Sequence, residues 1–381
     1  MFYNNQDISK QNEYKKMLTI MGNLTLLFSE NDSPYLQYRA HENIFCKYFE
    51  ADNLARFDCS ADAKKNRVGI GLKTWIGNDD QKIAEFGKLR ETYKNLSGLD
   101  LVKKVSEYRN ERIRITKNMH GIDEMIYHIV KRIPNSMQII ECAFDYIDIN
   151  KISVISGRGN VNNTYFNDGK HTYHFSSSKN TLYMIFENYE ILDQFNVDIM
   201  ADPYSYLMNL ATTNEVKNII KYDSIDYSNK LCLRLYSSNK KQGKFVAEKS
   251  GLNQWNAGGR SRNANEVYIP YPVEDRRLSV GFFPPRDKFF DLLMPDGTVI
   301  SAKVCQDDGK AIMSNPNKIL GNWLLRTVFE LPEKTIVTYE MLEKFGIDSV
   351  IFTKLGELSY KVDFAEIGTY EEYFEYYMKE N

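Results

Sequence analysis

Ser250-Gly251-Leu252-Asn253-Gln254-Trp255-Asn256-Ala257-Gly258-Gly259-Arg260-Ser261-Arg262-Asn263-Ala264-Asn265 is long, polar and glycine-rich, and it runs straight into the apolar Val267-Tyr268-Ile269 before Pro270. Arginine bonds bidentately to guanine and asparagine to adenine in the major groove, so two arginines and four asparagines in one arm suit base reading. The plain alternative is a solvated connection whose arginines pair with surface acids. A second polar stretch, Gln306-Asp307-Asp308-Gly309-Lys310-Ala311-Ile312-Met313-Ser314-Asn315-Pro316-Asn317, leaves a strand in the same manner. Two such arms could embrace a duplex, with lysines on phosphates and amides on bases.

Around these arms the chain reads as short strands. Leu231, Leu233 and Leu235 alternate with other residues. Phe289–Met294 and Thr298–Val304 flank Asp296-Gly297, a strong hairpin signal. Ser349–Lys354 and Leu358–Phe364 form another expected hairpin. Short helices are expected near Lys318–Arg326 and at Tyr339–Phe345, the latter capped by Thr338 and stopped by Gly346. Many short strands with two small helices predict a barrel. The chain is helical and then polar between Asp202 and Asn229, which places a boundary there and predicts domains at 1–222 and 223–381.

Four blocks in order resemble the carboxy-terminal DNA-binding domain of the NgoFVII-type restriction endonucleases, a relative of the plant B3 domain. They are Ser250-Gly251-Leu252-Asn253 leading to Tyr268-Ile269-Pro270; Phe282-Phe283-Pro284; Gly309-Lys310-Ala311-Ile312 leading to Leu320-Gly321; and Val337-Thr338 through Phe345-Gly346 to Asp363-Phe364. The resemblance spans roughly 230–364. It implies an open β-barrel whose two arms enter the major groove of double-stranded DNA. The residues then expected to touch DNA are Asn253, Arg260, Arg262, Asn263 and Asn265 in the first arm, and Gln306, Lys310, Ser314 and Asn315 in the second. The Ala257-Gly258-Gly259 insertion and Gln254 depart from the family pattern, so the recognised sequence does not carry over.

The first half mixes helices and strands, giving an α+β chain overall. Ser33–Phe49 reads as a helix and Gln81–Leu96 as another, with strands at Phe57–Ala63 and Val68–Trp75 between them. Later strands are expected at Gln138–Tyr146 and Lys151–Ser156, and a hairpin turn at Asp168-Gly169. Alternation along Asp58-Cys59-Ser60-Ala61-Asp62 puts Asp58, Ser60 and Asp62 on one side, and a returning strand brings Lys73 beside them. Carboxylates that hold Mg²⁺ and a lysine near the attacking water are the requirements of phosphodiester hydrolysis. The segment is similar to the core of the PD-(D/E)xK nucleases, with Asp58 and Asp62 as metal ligands and Lys73 on the water. Gly71 stands where that family's second acid would be. Glu42, in a helical stripe with Tyr38, Phe45 and Phe49, and Glu85, on the expected following helix, are the candidates to replace it, and Glu42 is preferred. The NgoFVII-type enzymes themselves carry a phospholipase D-like nuclease, but the chain contains no His-x-Lys.

Composition is that of a globular protein, with 43% hydrophobic and 26% charged residues. The net charge of −2 argues against a protein that coats nucleic acid but not against a site-specific binder. No apolar run is long enough for a bilayer, the amino terminus lacks a signal-peptide order, and five scattered cysteines form no zinc motif. A cytoplasmic protein is expected, with a homodimer on DNA possible. The readings that stand are a Mg²⁺-dependent type II restriction endonuclease and a non-catalytic, sequence-specific DNA-binding regulator.

Overall fold

The computed structural model describes residues 1–54, 59–77, 80–160, 162–187, 189–212, 229–239 and 241–380. The chain divides into two compact units, Met1–Asn110 with Ile122–Ser224, and Glu111–Gly121 with Ile225–Asn381. The second unit thus includes a piece of chain far upstream of residue 223. The boundary expected near residue 222 falls outside the described residues.

The first unit contains α1 (Ile8–Asn23), α2 (Tyr38–Phe49), β1 (Asp52–Asn53), β2 (Ala63–Lys65), β3 (Val68–Ile76), β4 (Asp80–Glu85) and α3 (Arg90–Tyr93). Next come α4 (Gly98–His120), whose last turns belong to the second unit, and β5 (Glu124–Ile133), β6 (Ser136–Ala143) and β7 (Ser153–Asn160). It ends with β8 (Asn163–Asn167), β9 (Thr172–Ser176), β10 (Thr181–Ile185), β11 (Glu190–Asn196) and α5 (Pro203–Thr212). One sheet has the order β1-β2-β3-β5-β6-β11 and the other β4-β10-β9-β8-β7. Strand β3 is antiparallel to β2 and parallel to β5. On one face of the first sheet Tyr14 and Leu18 of α1 and Phe45 and Phe49 of α2 bury Ile70, Leu72 and Val130.

Two expected helices differ from the observed elements. The helix expected from Ser33 begins only at Tyr38, where the Gln37 side chain accepts from Ala40 N and caps the first turn. Gln81–Leu96 is not a helix: Asp80–Glu85 is strand β4, drawn into antiparallel pairing with β10, and only a short turn of helix follows. The 3.6-residue pattern there is overridden by a partner strand nearly a hundred residues away in the chain. The hairpin at Asp168-Gly169 is present, with Gly169 at φ +88°.

The second unit carries β12 (Lys230–Arg234), β13 (Ser237–Asn239), β14 (Gly243–Phe245), β15 (Ile269–Pro270), α6 (Val273–Leu278), β16 (Phe289–Leu293) and β17 (Val299–Cys305). It continues through β18 (Ala311–Ser314), α7 (Ile319–Gly321) with a π-helical extension Asn322–Val328, α8 (Tyr339–Phe345), β19 (Ile347–Gly356), β20 (Ser359–Glu366) and α9 (Thr369–Glu380). The seven-stranded sheet β12-β19-β20-β16-β17-β18-β15 is nearly closed, since residues of β12 and β15 at its two ends approach within 8 Å at Cα. Inside, Phe283 packs on Phe290, Phe352 and Tyr360 at ring separations of 5.1–5.4 Å. Local signals hold here: Gly297 takes φ +93° in the β16–β17 turn, the Thr338 side chain caps α8 by accepting from Met341 N, and Gly346 ends it at φ +83°. Ile115 and Met119 of α4 lie in this same hydrophobic core.

Candidate functional site

In the second unit the first arm is a folded loop rather than an extended strand of readers. Asn253 is fully buried; its amide donates to the carbonyls of Ala247 (3.1 Å) and Val337 (2.9 Å), and its carbonyl accepts from Val337 N (2.8 Å). The residue expected to read a base is instead a strut, because every polar atom of its amide is occupied inside the protein. Arg262 is likewise turned inward: it donates to the carbonyls of Ala257 (2.6 Å) and Gly258 (2.7 Å) and curls the loop around itself. Arg260 stays about half-exposed and pairs with Glu266. The exposed Asn263 accepts from Asn265 N (2.9 Å), while Asn265 itself is gripped by Arg326 Nε (2.7 Å).

Helix α7 meets the end of this arm at Gly321. A Cβ there would lie 2.0 Å from the Asn265 carbonyl oxygen, a backbone atom that cannot step aside, so only glycine permits the approach. Between arm and helix opens a pocket of about 760 Å³, within the range of small-ligand clefts, lined by Arg262, Asn263, Asn265, Lys318, Asn322 and Trp323 among others.

The second arm is shorter than expected. Residues 311–314 are strand β18, buried throughout and paired with β15 and β17, so only the residues on either side project. Ser314 is buried and serves the fold: its hydroxyl donates to Pro316 O and accepts from Leu320 N, both at 2.9 Å. Gln306 is half-buried against the Met313 sulfur, whereas Lys310 and Asn315 are exposed on the two sides of the strand. Arg260, Asn263, Lys310 and Asn315 are therefore the predicted readers most open to a duplex.

In the first unit Asp58 lies outside the described residues. Residues 59–62 form a bend, not a strand, so alternation does not orient Ser60 and Asp62 as expected. Asp62 is placed by hydrogen bonds instead. Its N–H donates to Ile70 O (2.9 Å) and its Oδ2 accepts from Leu72 N (2.7 Å), which ties it to β3 one residue before Lys73. Glu42, on α2, is buried and accepts from Arg39 Nη1 at 3.0 Å. Burial pushes its carboxyl above the ordinary glutamate range and the Asp62 charge pushes it further, against the pull of Arg39 and Lys73. Glu42, Asp62 and Lys73 thus share one electrostatic neighbourhood. Burial, with smaller electrostatic contributions from His128, Arg132 and Lys73, holds His41 well below its usual value. Glu85 sits at the end of β4, half-exposed and paired with Lys82, in the other sheet.

Gly71 has a physical cause. Tyr127 faces it across the β3–β5 register and stacks on Phe144 at 4.1 Å, and a Cβ at Gly71 would meet both rings at 2.9 Å. A carboxylate does not fit there. Among the described residues no three His, Cys, Asp or Glu side chains are grouped to hold a metal ion. The strand β5, absent from the expectations, supplies the Tyr127 ring; its central Met125–Val130, apolar but for His128, is the mark of a buried strand.

The pH response of Glu42 follows from its raised value. Stability tied to the protonated carboxyl is present below the ordinary glutamate range and is lost as pH rises through the raised one. Glu42→Gln is expected to match the wild type in thermal midpoint near pH 4 and to exceed it by a few degrees near pH 8. A wild type that gains on the variant as pH rises would contradict this.

Residues 227–356 match the family model of the NgoFVII C-terminal B3-like DNA-binding domain. The match covers both arms and the barrel strands from β12 to β19, and stops short of β20 and of the Asp363-Phe364 end of the resemblance. No curated protein matches the chain. Among the described residues no helix is long and apolar enough to cross a membrane. The similarity to a restriction-enzyme B3-like domain supports DNA as the partner of residues 227–356 and is the ground for a sequence-specific reading.

Proposed function

We propose that the chain is a type II restriction endonuclease whose first unit hydrolyses DNA that the B3-like barrel selects. The observation that carries this reading is the match of residues 227–356 to a DNA-binding domain of restriction enzymes, joined to a unit with its own ionisable cluster. That cluster supports the nuclease assignment. Asp62 precedes the β2–β3 hairpin, Lys73 lies within its second strand, Glu42 comes from the preceding helix, and β5 runs parallel to β3. The donor chemistry suits a hard divalent cation. Burial and then the Asp62 charge raise the Glu42 carboxyl in spite of Arg39 and Lys73, and Mg²⁺ is commonly held by one or two carboxylates plus phosphate. Glu42 and Asp62, with Asp58 assigned from the sequence pattern alone, would hold Mg²⁺, which lowers the pKa of an attacking water. Lys73, which has no hydrogen-bond or ion-pair partner among the described residues, is assigned to orient that water or to stabilise charge on the phosphorus. Cutting both strands requires two active sites or two successive events, so pairing of two copies on one duplex belongs to the proposal.

A non-catalytic DNA-binding regulator is the second reading, favoured by the closed position at Gly71. Incubation of the full-length protein with varied plasmids separates the two. Discrete fragments in Mg²⁺ or Mn²⁺, none in EDTA and their return on adding back Mg²⁺ are expected. Binding without cleavage in either metal would leave the regulator, and undiminished cleavage in excess EDTA would remove the carboxylate site.

A further inference from the structure

Glu266 places a carboxyl group where burial of a polar side chain is costly. It is 1% exposed, at the foot of the first arm and just before β15. Its oxygens are divided between the arms: Oε1 takes Arg260 Nη2 and lies 3.4 Å from Arg262 Nε, and Oε2 accepts from Asn317 Nδ2 at 2.8 Å. Arg260 and Arg262 belong to the first arm and Asn317 closes the second, 51 residues along the chain from Glu266. The Glu266 N–H also donates to Asn263 O at 2.9 Å, which fixes the loop from its backbone side. Buried ion pairs add little net stability, because desolvation offsets the Coulomb gain; their best-attested use is to fix register.

We infer that Glu266 is a positioning residue that locks the two recognition arms to one another, so that both read bases in a single frame. It touches no base itself. Through Oε1 it sets the direction of Arg260, a half-exposed guanidinium able to reach a groove edge, and through Oε2 it sets the root of the second arm. Two independent arms would let a mismatch under one leave the other undisturbed. Arms joined by one buried carboxylate make discrimination at the two sets of positions interdependent. The inference rests on the DNA-binding reading and adds to it the source of the coupling between arms.

The test uses the full-length protein and a pool of duplexes with a randomised core, from which the wild-type preference is taken. Glu266→Gln keeps the shape and removes the charge. It should lower the ratio of preferred to scrambled affinity by about 10- to 100-fold, the scale of one or two lost base contacts, with scrambled binding and its salt dependence retained. Asn317→Ala touches only the second-arm side and keeps the test open if Glu266→Gln does not fold. It should relax base preference at two separated blocks of positions, not one. A structural role alone would weaken preferred and scrambled duplexes alike, and that result, or relaxation confined to one block in Asn317→Ala, overturns the inference. A wild type with no preference overturns the DNA-reading proposal and the inference with it. A wild type that discriminates beside a Glu266→Gln that discriminates equally overturns the inference alone.

Discussion

Lys73→Ala is expected to slow cleavage by the full-length protein about 100- to 1000-fold, the usual loss when one charge-stabilising group leaves an active site, with binding to the preferred duplex unchanged. The side chain is only half-buried and makes no hydrogen bond among the described residues, so its removal leaves no orphaned partner. Asp62→Asn is the companion. Its amide oxygen can still accept from Leu72 N, which preserves the local fold, while the charge that raises Glu42 is gone. Cleavage rates and duplex affinities measured on the same preparations decide the matter. Two variants that cut at wild-type rates would remove the proposed active site, and two that lose binding as well would show that the substitutions disturb more than chemistry.

Asn253→Ala is expected to destabilise the protein by about 3 kcal/mol, the sum of three buried hydrogen bonds at roughly 1 kcal/mol each, without a selective effect on base preference in the fraction that folds. The bonds join the arm to Val337, 84 residues on, and to Ala247, so the cost falls on the second unit. Against a total stability of about 5–15 kcal/mol this is large. Denaturant unfolding followed by the tryptophans, beside binding at permissive temperature, measures both. Unchanged stability with a relaxed preference at adenine would restore Asn253 as a reader.

The barrel was legible because its signals are local. A turn that needs positive φ calls for glycine at 297, and a helix end calls for Thr338 and Gly346 within a few residues of each other. The arms were legible as polar segments but not as sets of free and committed side chains. Whether Asn253, Arg262 or Ser314 reads DNA depends on whether backbone near or far in the chain already satisfies it, and no spacing in the sequence states that. The same limit hid the neighbourhood of the proposed active site. Glu85 had a helical pattern but joined a sheet through β10, and the reason for Gly71 lay in Tyr127 and Phe144, more than fifty residues downstream. A cue for the second case was present: Met125–Val130 is apolar but for His128 and of strand length, and a glycine inside a strand such as Gly71 often marks a close approach.

Helix α4 bears on anyone who would transplant this DNA reader. Its stretch Glu111–Gly121 is counted with the barrel, Ile115 and Met119 stand in the barrel's core, and Arg114 pairs with Glu330 at 2.6 Å. The chain therefore passes between its two units three times. A chimera cut once near residue 223 would leave behind two core side chains of the part it meant to carry, and would expose apolar surface where they had been. A faithful graft needs a discontinuous insert, with a helical segment of residues 111–121 supplied alongside the carboxy-terminal piece. Specificity in such a chain is not a detachable cassette, and exchange of the reader by simple recombination at one joint would be penalised.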